Sequence, residues 1–180
     1  EDYARFFWRN TLAFLQSNPV NMGPHWISAQ EVGLRLIALV FSIQVFAHSI
    51  HSTPQNIALL AQSIADHAER IPPTIIYARS QNNNHLISEA AGLYTAAAAL
   101  PNHPRAPYWK RLGKKWLNYA FQSQIATDGT YIQHSTNYHR LMLQLGLWVN
   151  AVQRHAFPAE PFASTTLLRL AAATRWLWKL

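Results

Sequence analysis

Asn82-Asn83-Asn84-His85-Leu86-Ile87-Ser88-Glu89-Ala90-Ala91-Gly92-Leu93-Tyr94-Thr95-Ala96-Ala97-Ala98-Ala99-Leu100 is the stretch on which the fold turns. A polar knot of asparagine and histidine stands directly before a run of good helix formers, and Pro101 closes the run. The composition predicts a helix over 85–99 with a polar entrance. A second stretch, Asp128-Gly129-Thr130-Tyr131-Ile132-Gln133-His134-Ser135-Thr136-Asn137-Tyr138-His139, repeats the arrangement ahead of another helical run. Helix entrances rarely need that much proton-handling chemistry. Two such knots predict the rim of an active site.

The helical period extends outward in both directions. It predicts helices over 2–17, 26–49, 54–70, 106–125, 136–156 and 163–180 as well. Thr53-Pro54 reads as an N-cap followed by proline in the first turn. Pro72-Pro73 reads as the end of the third helix, and Ser135 as the cap of the sixth. Only Gly129 to His134 suggests a short extended piece, so the fold class is all-α. Every second helix start recurs after roughly 50–60 residues, the period of a helical hairpin array. The helix over 26–49 is apolar nearly all round, and its run from Leu36 to Ala47 reads as core, too short to span a bilayer. The helix over 106–125 instead alternates Lys110, Arg111, Lys114 and Lys115 with Trp109, Leu112, Trp116 and Leu117. Buried helices alternating with amphipathic ones predict two concentric layers. If the inner helices run parallel, Asn21, His25 and Trp26, then Asn84 and His85, then Asn137, Tyr138 and His139 share one rim, where a cleft is expected.

Composition narrows the class. With 180 residues, 49% of them apolar and 13% charged, the chain is long and apolar enough for one packed domain, 1–180. The absence of cysteine excludes disulfides and thiolate metal sites. A net charge of +7 favours an anionic partner. The aromatics fall at core spacing and no nucleic-acid module appears, so no nucleic-acid partner is expected. No HxxxH or HxH pair stands on one element, and His48 and His51 lie at a helix end. Neither a metal nor another cofactor is expected. The chain lacks an initiator Met and stops inside the apolar pattern Leu167 to Leu180, so it reads as a piece of a longer protein.

The knots suit one chemistry. A free phenol titrates near pH ~10 and a free imidazole near ~6.5, so Tyr138 with His85 or His139 suits proton abstraction and return. An asparagine amide can donate to a carboxylate and disperse charge that builds beside it. Together they match β-elimination at a uronic acid, whose C5 proton is removable only once its carboxylate is neutralised. Bland readings stand beside this. Asn84 can be a helix cap, His85 and Tyr138 can be structural, and Asp128-Gly129 is a common turn. Glu89, four residues beyond His85, can orient that imidazole or simply pair with it. Two other functions remain open. One is a toroid glycoside hydrolase using Glu89 and Asp128. The other is a non-catalytic polyanion-binding domain using Lys110 to Lys115.

The stretches "NNNHLISEAAGLYTAAAALP" and "DGTYIQHSTNYHRLMLQ", with "NPVNMGPHWISAQEVGLRLIAL" upstream, resemble the heparinase II/III-like polysaccharide lyases, which include heparan-sulfate and oligoalginate lyases. The resemblance implies an incomplete (α/α) toroid, joined in full-length members to a C-terminal β-sandwich that this chain lacks. It implies an anionic polysaccharide substrate and a periplasmic or secreted bacterial location. It assigns carboxylate neutralisation to Asn84, catalysis or positioning to His85, and the acid and/or base role to Tyr138. Trp26, Glu31, Arg35, Glu89, Gln133 and His139 would line or support the substrate cleft. A further catalytic histidine would come from outside this chain, so the chain alone is expected to be weakly active or inactive.

Overall fold

A computed structural model describes residues 2–180. The helices are α1 (Asp2–Ser17), α2 (Ala29–Phe46), α3 (Pro54–Arg70), α4 (Ile75–Gln81), α5 (Asn84–Ala99), α6 (Ala106–Gln124), α7 (Thr136–Ala156) and α8 (Ser164–Trp178), with a 3-10 turn at Pro24–Trp26. Among the described residues the only strand-like pairing is a bridge between Ile125 and Tyr131, inside the segment expected to be extended.

The core is built around α5. Every residue from Leu86 to Ala97 is buried, because α2, α6, α7, α3 and α4 pack around this helix. Its small residues make that possible. A Cβ on Gly92 would lie 2.9 Å from the Gly33 Cα of α2, and one on Gly113 of α6 would lie 2.8 Å from the Ala90 carbonyl oxygen. Backbones at such separations leave no room for a side chain, so glycine is required at these crossings. Ala90, Ala91, Ala96 and Ala97 keep the rest of the helix slim enough for neighbours on every side.

The inner helices run parallel. Near their starts Gln30 Nε2 donates to Ser88 Oγ at 3.3 Å. At their far ends Val40, Thr95, Trp148 and Val152 line one cavity of about 290 Å3. The partners return antiparallel: Gly113 packs by Ala90 and Tyr94, and Gln124 at the end of α6 reaches Asn83 at the start of α5. In the same way Gly146 of α7 meets Leu170 of α8, while His139 near the start of α7 meets Ala173. α2, α5 and α7 thus form an inner layer, with α3, α6 and α8 outside. The architecture is the all-α, incomplete (α/α) toroid of helical hairpins anticipated from the sequence. α1 joins the α2–α3 connection through Trp8 Nε1, which donates to Ser52 Oγ at 2.8 Å, and through Phe7 against Phe46.

Five local expectations differ. The helix expected over 26–49 begins at Ala29, because extended Ser28 caps it by accepting from the Glu31 N–H. It ends at Phe46, whose carbonyl accepts from Ser52 Oγ. This helix is not buried all round either: Phe41 and Val45 are 56% and 59% exposed. Among the described residues α2 packs chiefly on α3 and α5, and its remaining side is uncovered. Its length is also greater than the apolar run suggested. Eighteen residues of mean hydropathy 1.4 are long and apolar enough to cross a membrane, yet α2 carries Arg35, bonded to α3, and seats Gly33 against α5. Helix α4 was not anticipated. It is a seven-residue element beginning two residues after Pro73, with Ile75 and Ala78 turned inward, and it ends at Asn82 in the left-handed region at φ 49°. Finally, Ser135 occupies the cap position of α7 without a side-chain capping bond, whereas Thr53 does cap α3 by accepting from the Asn56 N–H.

Candidate active site

The rim is assembled from the entrances of the three inner helices. Asn83 is the cap of α5: its backbone is extended and its Oδ1 accepts from the His85 N–H at 3.0 Å. Asn84 is therefore the first helical residue, and its side chain is free of the capping duty that composition allowed it. Residue 84 is only 4% exposed, and the hydrogen bonds made at it run through its backbone N–H and carbonyl. His85 is half-buried and lacks a side-chain partner. Desolvation lowers its pKa below the usual imidazole range, which favours the neutral ring at neutral pH.

The second knot is folded onto the first. The Asn84 N–H donates to Gln133 Oε1 at 2.9 Å. Gln124 Nε2 donates to the Asn83 carbonyl at 3.0 Å, and Tyr131 Oη donates to Gln124 Oε1 at 3.2 Å. Burial pushes the Tyr131 phenol upward, so it stays protonated and serves as a donor. Gln124 at the end of α6 and Gln133 in the loop that follows thus clamp both residues at the α5 entrance. Five residues beyond Gln133, Tyr138 stands in the first turn of α7 and is 44% exposed, the only tyrosine of the two knots open to solvent. Gln133, His134, Thr136 and His139 line a cleft of about 300 Å3 whose lining does not include Tyr138, Asn84 or His85. The α2 entrance joins through Gln30, Ser88 and the Asn84 carbonyl, which accepts from Ser88 Oγ at 2.9 Å.

The supporting residues fall into distinct places. Trp26 is enclosed, donating from Nε1 to the Asn18 carbonyl at 3.3 Å and packing on His67. Arg35 is engaged inside the protein: its Nε donates to His67 Nε2 at 2.9 Å and its Nη2 to the His25 carbonyl at 2.7 Å. Glu31 is exposed in the first turn of α2. These three form their own cluster at the α2 entrance. His139 is buried, and because a carbonyl can only accept, its Nε2 carries a proton and donates to the Ala173 carbonyl at 2.9 Å. Its ring stacks on Trp176 and closes the cleft floor while tying α7 to α8.

Glu89 neither orients nor pairs with His85. It is 3% exposed on the α5 face that meets Gly33, and its Oε2 lacks a hydrogen-bond partner among the described residues. Burial raises its carboxyl to about 8, a rise only partly offset by the charge of Arg70. Asp128 is exposed and turned onto its own loop, where Oδ1 accepts from the Thr130 N–H at 2.9 Å. That hydrogen bond holds its carboxyl below the usual range. The hydrolase alternative therefore lacks a carboxylate pair presented to a cleft. In the basic helix, Lys110 Nζ meets Glu160 Oε1 at 2.7 Å and Lys114 Nζ donates to the Glu160 carbonyl at 3.0 Å, so half of that cluster is already engaged.

Gln124 escaped sequence reasoning, although a signal existed. It continues the apolar stripe of Leu117 and Phe121, where a polar residue needs a buried partner. Gln124→Ala is expected to lower stability by about 2–3 kcal/mol, since the Asn83 carbonyl and Tyr131 hydroxyl would both lose a partner. Chemical denaturation measures it. A loss below ~0.5 kcal/mol, the scale of an ordinary surface substitution, would show that the clamp is not structural.

Parallel inner helices with antiparallel partners outside, and the entrances of α5 and α7 bonded together on one rim, define the chain as part of an (α/α) toroid. Residues 1–172 match the family model described as Heparinase II/III N-terminus, and the chain belongs to that family. A heparin-sulfate lyase of Bacteroides thetaiotaomicron is 28% identical over 129 residues, covering 70% of this chain and 18% of its relative. A crystal structure of heparinase III superposes with a TM-score of 0.82 at 23% identity, over 98% of this chain and 27% of that one. The crystal structure of the heparan sulfate lyase HepC from Pedobacter heparinus gives 0.71 at 20% identity, over 98% and 28%. The chain thus spans under a third of the length of each.

Proposed function

We propose that this chain is the helical part of a polysaccharide lyase that cleaves a uronic-acid-containing anionic polysaccharide by β-elimination. The observation that carries the reading is the division of labour at the α5 entrance: Asn83 caps, which leaves the Asn84 amide uncommitted at the rim. The Asn84 amide donates to the uronate carboxylate and stabilises the charge that spreads onto it. A base, Tyr138 or His85, takes the C5 proton. The electron pair forms the C4–C5 double bond, the bond from C4 to the glycosidic oxygen breaks, and an acid on the same rim protonates the departing oxygen. Neutral His85 accepts protons, and the exposed Tyr138 hydroxyl can give or take one. The named activity of the Bacteroides relative supports a heparan- or heparin-like substrate, while an alginate-like polyuronate satisfies the same chemistry. A periplasmic or secreted bacterial location is part of the same reading.

Because the chain covers 18% of that relative, we assign the remainder of the active site, including a further histidine and a β-sandwich wall, to sequence outside it. The test is a panel of heparan sulfate, heparin and alginate given to the full-length polypeptide and to this chain alone. Ultraviolet absorbance reports the unsaturated uronate. The full-length polypeptide should form that product on at least one of them, and the 180-residue chain should form little or none. Cleavage without a double bond would replace the lyase reading with hydrolysis. Robust turnover by the chain alone would show that it holds the complete site.

A further inference from the structure

Between α6 and α8, on the outer layer, lies a cavity of about 380 Å3 lined by Gln122, Thr127, Thr165, Leu168 and Arg169. Arg169 is partly buried. Its Nη1 is fully enclosed without a hydrogen-bond partner, and the guanidinium makes no ion pair among the described residues. That nitrogen is sealed from solvent, so only the other guanidinium nitrogens can face the cavity, where the charge still lacks a partner. Nothing in the lining supplies a counter-charge: no lining residue is acidic, and Asp128, next to Thr127, directs Oδ1 to the Thr130 N–H.

The remaining groups suit an anion. Thr165 precedes Arg169 by one helical turn, so hydroxyl and guanidinium share a face of α8. Thr127 faces them from the loop after α6. Gln122 is held in place because one Nε2 hydrogen is donated to Thr166 Oγ1 at 2.9 Å, and that hydroxyl donates to Asn118 Oδ1 at 2.7 Å. Its second amide hydrogen is left over. A planar guanidinium with two hydroxyls and an amide matches a tetrahedral oxyanion, for which Arg offers two parallel donors.

We propose that this cavity is a binding site for a sulfate- or phosphate-type oxyanion, held by Arg169 with Thr165, Thr127 and Gln122. It is separate from the Asn84–Tyr138 rim. Its source is either a free anion or a sulfo group on a polysaccharide, and only the second source rests on the lyase reading.

Isothermal titration in low-salt, sulfate-free buffer tests it, with inorganic sulfate, inorganic phosphate, a sulfated uronate oligosaccharide and its desulfated counterpart as probes. Saturable binding of inorganic sulfate or phosphate is expected, weakened roughly tenfold or more by Arg169→Ala. Arg169→Lys should retain part of it, and Thr165→Ala, at an exposed position in the first turn of α8, should weaken it a few-fold. Circular dichroism checks each fold. If Arg169→Ala does not fold, the other two variants decide. A sulfated oligosaccharide that gains Arg169-dependent affinity over the desulfated one assigns the site to the polysaccharide. Arg169 dependence confined to the inorganic ions assigns it to a free anion. Absence of saturable oxyanion binding, or isotherms unchanged by the variants, overturns the site. Failure to form an unsaturated product would remove the lyase reading and leave these isotherms as they are.

Discussion

Tyr138→Phe in the full-length polypeptide is expected to lower the rate of elimination by roughly 10²–10⁴-fold, the range over which a positioned acid–base group contributes. Phenylalanine keeps the ring and removes only the hydroxyl, so packing should survive. The side chain is 44% exposed and its hydroxyl makes no hydrogen bond among the described residues, so the loss carries little structural penalty. Thermal unfolding should therefore shift little while turnover collapses. That contrast separates a chemical role from a half-buried core aromatic, the bland reading of the same residue. Asn84→Ala is the companion measurement. Removing one charge-stabilising donor typically costs about 10²–10³-fold in turnover. Because Asn83 holds the cap, helix α5 should persist in that variant. If Tyr138→Phe eliminates at close to the native rate, proton transfer belongs to another group, and His85, free of side-chain partners and neutral, is the next candidate.

The two knots illustrate what a sequence reveals and what it conceals. Helix existence was legible for α5, α6 and α7 because their apolar periods are long and their breakers strong, and the hairpin period placed the entrances of α5 and α7 on one rim. Helix α4 was not, because the seven residues Ile75–Gln81 are too few to show a period. The burial of α2 was misjudged because composition reports how apolar a helix is, and only the neighbours decide which side is covered. Asn83 and Asn84 are chemically identical, and one residue of register decides which of them caps. The clamp through Gln124 and Gln133 joins residues far apart in sequence, and propensity carries no information about such contacts. The seam that encloses Glu89 was hidden for the same reason. It depends on the close approach of Gly33 and Gly92, which look unremarkable in the sequence.

Glu89→Gln is expected to flatten the alkaline side of the stability profile. The folded carboxyl holds its proton up to about pH 8, against an ordinary value of 4.5. Between those two values the unfolded chain has released a proton that the folded chain still carries, so stability falls as pH rises across that window. At pH 7 the cost is on the order of 3 kcal/mol, a large share of a typical domain's stability. His67 acts in the opposite direction. Burial is the largest cause that lowers it, from 6.5 to about 4, with the charge of Arg35 adding to it against the Ser63 carbonyl. Between those values the unfolded chain binds the extra proton and stability rises with pH. In the native protein the two trends oppose each other between about pH 4.5 and 6.5, and the Glu89 decline stands alone from there to about 8. The glutamine variant keeps the shape of the side chain and cannot ionise, so it should show the His67 rise followed by a plateau. Denaturant unfolding of both proteins at pH 5, 6.5 and 8 gives the difference directly, since His67 and every other group cancel in the subtraction. The native protein should lose ground against the variant at each step upward. Parallel profiles would mean that Glu89 is already ionised near its ordinary pKa in the folded chain, with a counter-charge that the enclosed Oε2 does not display.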